Sequence, residues 1–329
     1  MRAMPSMFKY LRVQILYPCR ARCSWCSTHR KNAMFHQLWK AGVSDRIHRF
    51  YVEAIRALQP GQVFLSGGEP ILYPGIAGFL NDIKDHTGQI NLFTSFQFPT
   101  AECDRIDFAS MPLDKVVFNH TPIDFDPARW SEVTGTFPFE TYVENIRQFR
   151  ALPARKRFKF IITRESCAEQ IQRFQDLVQP DERFEFGLKA LNDQGNGLCV
   201  GQMRETSALV AERVGRLSDL ARELGWNLGR VMEGSLDVMG ALLESGDVSR
   251  CGYRNEPLEI RFALEHASEE RQVLRYRYCP SFPPDWGHRF HVGHDDIAKL
   301  EKNFRKGPFR DHCGRCRFLE YWKGIQAAG

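Results

Sequence analysis

The sequence predicts an α/β fold, a partial TIM-like barrel of six β/α units, (βα)6, followed by a small cysteine-rich domain of a β-hairpin and a helix. Strand-like and helix-like segments alternate over the first two-thirds of the chain, which is typical of a parallel sheet with helices packed outside it. Two loops rich in cysteine or glycine follow the first two strands. Near residue 250 the alternation gives way to two adjacent strand-like segments flanked by cysteines.

The predicted barrel has six apolar strands, and an amphipathic segment follows each of the first five. The strands read, in order, KYLRVQILYP, GQVFLSGGEP, QINLFTSF, DKVVFNHTP, RFKFIITRES and RFEFGLKALND. The helices read DRIHRFYVEAIRAL, IAGFLNDIKDH, AECDRIDFAS, FETYVENIRQFRAL and AEQIQRFQDLV. Six units fit an open barrel better than a closed one of eight strands. In either architecture we expect the chemistry at the carboxyl ends of the strands.

The remainder of the chain has a different pattern. The segments ETSALVAERVGRLSDLARELGW and GSLDVMGALLES predict two connecting helices. After them, EPLEIRFAL and RQVLRYRYC flank the turn EHASEE and predict a β-hairpin, and FLEYWKGI predicts a short helix. We therefore divide the chain into a barrel (8–190), a helical connector (191–246) and a cysteine-rich domain (247–329).

Composition narrows the class of protein. The net charge of +5 is small and the basic residues are scattered, which favours a solvated surface over a nucleic-acid-binding one. No apolar run approaches the ~18 residues that a membrane helix needs, and no secretory signal is recognisable. Ten cysteines without such a signal point to metal binding in a reducing compartment. We expect a cytoplasmic protein without membrane or nucleic-acid partners.

The segment CRARCSWC (19–26), here called the cysteine loop, places Cys19, Cys23 and Cys26 directly after the first predicted strand. A structural zinc site normally has four protein ligands, whereas this loop offers three. Thiolates also hold iron–sulfur clusters, and three of them would leave one iron of a four-iron cluster open to a substrate or cofactor. The alternatives are a zinc loop or three unrelated thiols.

The C-x3-C-x2-C pattern, with Trp25 before its last cysteine, resembles the signature of the radical S-adenosylmethionine superfamily. The segment SGGEP (66–70), here called the glycine loop, is similar to that family's second motif. The resemblance implies a [4Fe-4S] cluster whose open iron binds S-adenosylmethionine and whose reduction yields a 5′-deoxyadenosyl radical. It also implies that Gly67 and Gly68 let the backbone approach the cofactor and that Glu69 accepts from the methionine ammonium.

A second set of cysteines lies in the predicted C-terminal domain. The order Cys251, hairpin, Cys279, loop, Cys313, Cys316 and helix resembles the twitch subdomain, the shorter relative of the SPASM domain. The resemblance implies an auxiliary [4Fe-4S] cluster with all four ligands supplied by protein. A structural zinc held by the same four residues is the alternative.

Other polar residues follow the later strands. The resemblance implies cofactor-binding roles for Asn119 and Arg164, and Glu165 is our candidate for a proton acceptor. Cys199, in the segment GNGLCVG, is a candidate hydrogen-atom donor. Ordinary surface polarity explains each strand-end residue about as well, and a small buried cysteine often packs as an apolar side chain.

The resemblance implies an oxidoreductase that abstracts a hydrogen atom from a small-molecule substrate, with a reducing partner such as flavodoxin or ferredoxin. We expect two-electron oxidation of an aminosugar- or cyclitol-type alcohol, partly because little sequence precedes the cysteine loop to form a peptide-binding wing. The alternatives are crosslinking or epimerisation of a ribosomally made peptide, a radical epimerase that uses Cys199, and a zinc-stabilised binding module without catalysis.

Overall fold

The computed structural model describes residues 8–21, 32–120, 125, 127, 130, 137–162, 167–190, 219–220, 222–225, 227–228, 259–268, 271–278 and 288–306. Ten strands of this part form a single hydrogen-bonded sheet. In chain order they are β1 (Tyr10–Ile15), β2 (Gln62–Gly67), β3 (Gln89–Phe93), β4 (Val116–His120), β5 (Arg155–Ile162), β6 (Phe184–Ala190), β7 (Asn227–Leu228), β8 (Glu259–Ala267), β9 (Gln272–Arg277) and β10 (His288–His291).

Six of the helices in the described residues lie between these strands in the sequence, and the seventh follows β10. They are α1 (Asn32–Lys40), α2 (Val43–Leu58), α3 (Ile76–Ile83), α4 (Thr100–Cys103), α5 (Phe139–Ala151), α6 (Cys167–Val178) and α7 (Ala298–Lys306). Short 3-10 turns occupy Pro70–Leu72, Lys84–His86 and Phe108–Ser110. None of the helices in the described part of the chain has the length and apolarity required to span a membrane.

Strands β1 to β7 are parallel and lie in the sheet in the order in which they occur in the chain. This confirms the predicted run of six parallel β/α units, because sequential parallel strands joined by helices form the wall of a TIM-like barrel. The sheet ends at β7 on one side and β10 on the other, so within the described residues it is open. The β6–β7 pairing adds a parallel strand from the segment predicted as a helical connector.

The two faces of the sheet differ in chemistry. In β1, Leu11, Val13 and Ile15 are fully buried and alternate with the partly exposed Arg12 and Gln14. Most of the buried apolar residues of the long strands join one core with the helices. Alternation with a period of two puts these side chains on the helix-covered face and the polar ones on the opposite face.

Helix α2 shows how the sequence builds this core. Its buried residues Ile47, Phe50, Tyr51, Ala54 and Ile55 recur at the spacing of one helical face. The helix starts after Gly42, whose φ of +69° reverses the chain at the end of α1. Glycine adopts this left-handed conformation without the strain that a side chain introduces.

The predicted hairpin forms, but it belongs to the same sheet as the barrel. Strand β8 pairs in parallel with β1, with Tyr10 opposite Glu259, and β9 and β10 follow as antiparallel strands. Phe262 of β8 contacts Phe50 of α2, with ring centroids 5.6 Å apart. Phe290 of β10 packs on the same ring at 4.8 Å. The hairpin therefore extends the barrel wall and shares its core.

Candidate functional site

The ends of β1 and β2 lie side by side, with Ile15 opposite Gly67. Gly67 has a φ of +137°, and a Cβ there would lie 2.2 Å from the Ile15 carbonyl oxygen. A Cβ on Gly68 would lie 1.8 Å from the Tyr17 carbonyl oxygen and 2.9 Å from the Cys19 amide nitrogen. Such distances are overlaps, so glycine at both positions lets the glycine loop pack directly on the start of the cysteine loop. The sequence had suggested a role for these glycines toward a cofactor, and this packing role is additional.

Glu69 lies fully buried at this junction. Its Oε2 accepts hydrogen bonds from the amide of Ser95, at 2.8 Å, and from the Ser95 hydroxyl. Its Oε1 has no partner of good hydrogen-bond geometry within the described residues. Burial raises the pKa of Glu69 to about 7, although the polar groups around the carboxylate, those of Ser95 first and then the Thr94 hydroxyl and the Ile71 amide, act in the opposite direction. A buried carboxylate oxygen without a partner is costly, and a ligand cation such as an ammonium would satisfy it.

Helix α2 holds the backbone just before the cysteine loop. The Leu16 amide donates to Nε2 of His48 at 2.9 Å, and the Ser44 hydroxyl donates to the Leu16 carbonyl at 3.0 Å. Ser44 and His48 are four residues apart and so lie on one helical face. Burial lowers the pKa of His48 to about 3, which keeps the ring neutral and Nε2 able to accept.

Helix α1 holds the first cysteine itself. The Cys19 amide donates to Oδ1 of Asn32 at 2.7 Å, and Nδ2 of Asn32 donates back to the Cys19 carbonyl oxygen. Asn32 is the first residue of α1, so the helix carries a side chain that binds both backbone polar groups of Cys19. The two ends of the segment 19–32 are thereby joined.

An aromatic group joins the segments beside the two loops to the first two helices. The Tyr17 and Trp39 ring centroids lie 5.2 Å apart, and those of Trp39 and Tyr73 lie 5.6 Å apart, both edge to face. The Tyr73 ring centroid lies 4.6 Å from that of His48, and its hydroxyl donates a hydrogen bond to Asp45 at 3.1 Å. Edge-to-face pairs add stability beyond simple burial, so this group holds together a residue just before the cysteine loop and a residue just after the glycine loop.

Asn119 lies on the polar face of the sheet, fully buried at the end of β4. Its Nδ2 donates to the Val117 carbonyl at 2.9 Å and to Oδ1 of Asn91 at 3.3 Å, and its Oδ1 has no partner within the described residues. Nη1 of Arg157 donates to the same Asn91 oxygen at 3.4 Å, and its Nη2 donates to Oε2 of Glu185 at 2.6 Å. Asn119 thus belongs to a network that forms part of the polar face of the barrel wall, one oxygen of which remains available.

His120, the neighbouring strand-end residue, lies on the opposite, helix-covered face. Its Nδ1 is 2.9 Å from the Thr94 carbonyl and its Nε2 is 2.6 Å from the Tyr142 hydroxyl. The carbonyl can only accept, so Nδ1 carries the proton and Nε2 accepts from Tyr142. Its ring packs against Phe96 and Phe158, and burial lowers its pKa to about 3. This histidine stabilises the core.

Of the residues predicted for the site, the structure brings the loop glycines, Glu69 and Cys19 together at the ends of adjacent strands. Within the described residues no group of three His, Cys, Asp or Glu side chains could hold a metal. Of the seven cysteines predicted as ligands, this part of the chain includes Cys19 alone. The predicted residues outside the described part of the chain are Cys23, Trp25, Cys26, Arg164, Glu165, Cys199, Cys251, Cys279, Cys313 and Cys316.

Four residues that the sequence reading missed support the site through Leu16, Cys19 and Glu69. They are Asn32, Ser44, His48 and Ser95. The four-residue spacing of a serine and a histidine on an amphipathic helix is a weak signal for the α2 pair. No comparable signal marks Asn32 or Ser95, since each acts on a residue of a different element.

Comparisons with solved structures identify the fold. SuiB of Streptococcus suis matches with a TM-score of 0.60 at 15% identity, over 90% of this chain and 65% of SuiB. SuiB bound to its precursor peptide SuiA gives 0.61 at 16% identity, over 90% of this chain and 64% of SuiB. SuiB bound to S-adenosylmethionine gives 0.55 at 15% identity, over the same shares.

This chain shares the fold of SuiB and spans less than two thirds of its length. At such low identity the likeness concerns the fold. No protein-family model matches the sequence. No curated protein matches it either.

Proposed function

We propose that this chain is a radical S-adenosylmethionine enzyme. The observation that carries the proposal is the buried Glu69, whose Oε1 lacks a partner among the described residues and lies beside the start of the cysteine loop. The fold is that of a protein solved with S-adenosylmethionine, which supports the same conclusion. When bound, the cluster and S-adenosylmethionine supply the hydrogen-abstracting 5′-deoxyadenosyl group.

The chain's own residues then have distinct roles. Cys19, Cys23 and Cys26 ligate the cluster, and three ligands leave one iron open. The Glu69 carboxylate accepts from the ammonium of the methionine moiety, which would satisfy the oxygen left unpaired in the described part of the chain. The Asn119 oxygen, buried and likewise unpaired among the residues described, accepts from a cofactor hydroxyl or amine.

Gly67 and Gly68 set the distance between the two loops, because a side chain on either would overlap the backbone of Ile15 or Tyr17, just before the cysteine loop. We further propose that Trp25 and Arg164 contact the cofactor and that Glu165 accepts a proton. These three assignments rest on the motif resemblance alone.

The decisive experiment is anaerobic reconstitution followed by reduction with dithionite in the presence of S-adenosylmethionine. Wild-type protein should release 5′-deoxyadenosine, measured by mass spectrometry, whereas the Cys19→Ala, Cys23→Ala, Cys26→Ala triple variant should release none because its cluster has no ligands. Cys103→Ala is the matched control, since Cys103 is a buried residue of α4 outside the proposed ligand set. Cleavage of S-adenosylmethionine by the triple variant would refute the proposal.

We also propose that Cys251, Cys279, Cys313 and Cys316 hold an auxiliary cluster in a twitch-like domain, with boundaries at 8–190, 191–246 and 247–329. The parallel pairing of β8 with β1 brings the start of that domain against the barrel, which would suit electron transfer between the two sites. Analysis should then give about eight iron and eight sulfide per chain. Four iron and one zinc would favour the zinc alternative.

Two substrate classes remain candidates. Oxidation of an aminosugar- or cyclitol-type alcohol, with flavodoxin or ferredoxin as electron donor in the cytoplasm, is the function the sequence suggests. Modification of a ribosomally made peptide is supported by the shared fold of SuiB, which was solved with a precursor peptide. A product lighter by two mass units indicates net oxidation, which alcohol oxidation and peptide crosslinking share, so parallel assays with an aminosugar alcohol and with a precursor peptide separate the two classes. Solvent deuterium in the product that depends on Cys199 indicates epimerisation.

A further inference from the structure

The contact between Asn32 and Cys19 has a geometry that a simple helix start does not need. One amide side chain accepts from the Cys19 N–H at 2.7 Å and donates to the Cys19 carbonyl. It thus pairs with a single residue of the cysteine loop in the way that a neighbouring strand would. The backbone of Cys19 cannot rotate without breaking both bonds.

Helix α1 gives Asn32 a fixed position. Phe35 and Leu38 of this helix are buried, and Trp39 packs edge to face on Tyr17 at 5.2 Å. Tyr17 lies two residues before Cys19, so helix α1 contacts the chain both just before the cysteine loop and at the first residue of that loop. A polar side chain on a packed helix holds its partner more accurately than one on a loop.

We propose that Asn32 is a positioning residue for the cluster, which orients Cys19 so that its thiolate points to the metal before the cluster is bound. This inference rests on the proposed function, because it takes Cys19 to be a cluster ligand. Groups that orient metal ligands typically change metal affinity by about 10–100-fold when they are removed.

Two variants separate this role from helix stability. Asn32→Ala removes both hydrogen bonds. Asn32→Asp keeps an acceptor for the Cys19 amide and a good residue for a helix start, but it loses the donor and places a carboxylate against the Cys19 carbonyl. Asn81→Ala is the matched control, because Asn81 of α3 also donates to two carbonyls, those of Ala77 and Ser110, away from the cysteine loop.

The measurement is the rate at which reconstituted protein loses its cluster to an iron chelator. The relevant absorbance near 400 nm is the part that the Cys19, Cys23 and Cys26 triple variant lacks. We expect Asn32→Ala and Asn32→Asp to lose it about ten-fold faster or more than wild type. Asn81→Ala should match wild type, and the cluster-free Asn32→Asp protein should remain folded at the temperature of the assay.

Wild-type rates in both Asn32 variants would overturn the positioning role while leaving the proposed function intact. Equal acceleration in Asn81→Ala would overturn it as well, since the effect would then be one of general stability. Wild-type protein that holds no cluster at the first site would overturn both. An electron paramagnetic resonance signal whose response to S-adenosylmethionine is altered in Asn32→Asp would support the role independently of turnover.

Discussion

Glu69 is a buried carboxyl group with an oxygen unpaired in the part of the chain that the structure describes, a combination that lowers the stability of the folded protein unless a ligand binds there. It is fully buried, and only one of its oxygens has hydrogen-bond partners within the described residues. Because its pKa is raised to about 7, the folded state keeps a proton that the unfolded state releases above about pH 4.5. The group therefore costs stability as the pH rises from that value through 7. A bound cation removes the cost by pairing with the carboxylate.

Binding of S-adenosylmethionine to the cluster-loaded protein should therefore strengthen as the pH rises from 6 to 8. The carboxyl is mostly neutral at the lower pH and mostly charged at the higher one, so we expect a change of about ten-fold in the dissociation constant. Isothermal titration calorimetry measures it directly. Glu69→Gln should bind weakly and lose this pH dependence.

Ser95→Ala is a finer test of the same idea. It removes the hydroxyl that donates to Glu69 but leaves the Ser95 backbone amide in place. The carboxylate then loses one stabilising hydrogen bond, so its pKa rises and the midpoint of binding should move to higher pH. A midpoint that stays unchanged in Ser95→Ala would show that another group controls the titration.

Strands and long helices were predictable because their signals are local. Short apolar segments located β1 to β6, and the apolar stripe located α2 to within two residues. The sequence predicted one helix over 101–110, where the structure has the short α4 and a separate 3-10 turn. Helix α1 follows the cysteine loop too closely to stand out, and β7 and β10 have two and four residues, too few to establish a period.

The sequence predicted site residues only where they belong to a recognisable motif. Cys19 and Glu69 were found because their spacing and neighbours resemble a known pattern. Asn32 and Ser95 contact them across 13 and 26 positions of the chain, and nothing in the local sequence reports such a contact. Likewise, overlap with Tyr17 as a reason for Gly68 becomes visible only when the two strand ends are adjacent.

The junction between the two loops should tolerate no side chain at Gly68. Gly68→Ala places a Cβ 1.8 Å from a backbone oxygen that cannot move aside without displacing the cysteine loop. We expect cluster content at the first site to fall several-fold and the melting temperature to drop. Iron analysis and thermal unfolding measure the two effects.

The control is Gly78→Ala, the third residue of α3, where a new Cβ has nothing within 4 Å. Alanine is favoured over glycine inside a helix by about 0.5–1 kcal/mol, so this variant should be slightly more stable and retain its cluster. If Gly68→Ala behaves like Gly78→Ala, the close packing of the two loops is not required.

The continuous sheet makes the barrel and the C-terminal hairpin one mechanical unit. Strand β8 pairs with β1 of the barrel. The ring centroid of Phe262, in β8, also lies 6.1 Å from that of Tyr51 in α2 and 6.4 Å from that of Phe290 in β10. Helix α2 of the barrel thus packs on the hairpin as well. The boundary predicted at residue 247 from the cysteine pattern therefore does not coincide with a break between two hydrophobic cores.

Phe262→Ala should weaken the barrel as well as the hairpin. Loss of a buried phenyl ring costs about 3–5 kcal/mol, and here both β1 and β8 lose support. Native-state hydrogen exchange should show reduced protection at the amides of β1, β8 and β9. Phe186→Ala is the control, since it removes an equally buried ring from β6, packed on Phe160 and Phe174. Unchanged β1 protection in Phe262→Ala would indicate independent units.

The pairing of Tyr10 with Glu259 also governs how the chain must be made. Once strand β1 has left the ribosome, β2 soon pairs with one of its edges. The partner of its other edge, β8, is synthesised roughly 250 residues later, a delay on the order of 10–50 s at about 5–20 residues per second. During that interval an apolar strand exposes unpaired backbone amides and carbonyls, a template for pairing with other chains. Low temperature, slow expression and abundant chaperones should therefore raise the yield of native protein more than added iron alone.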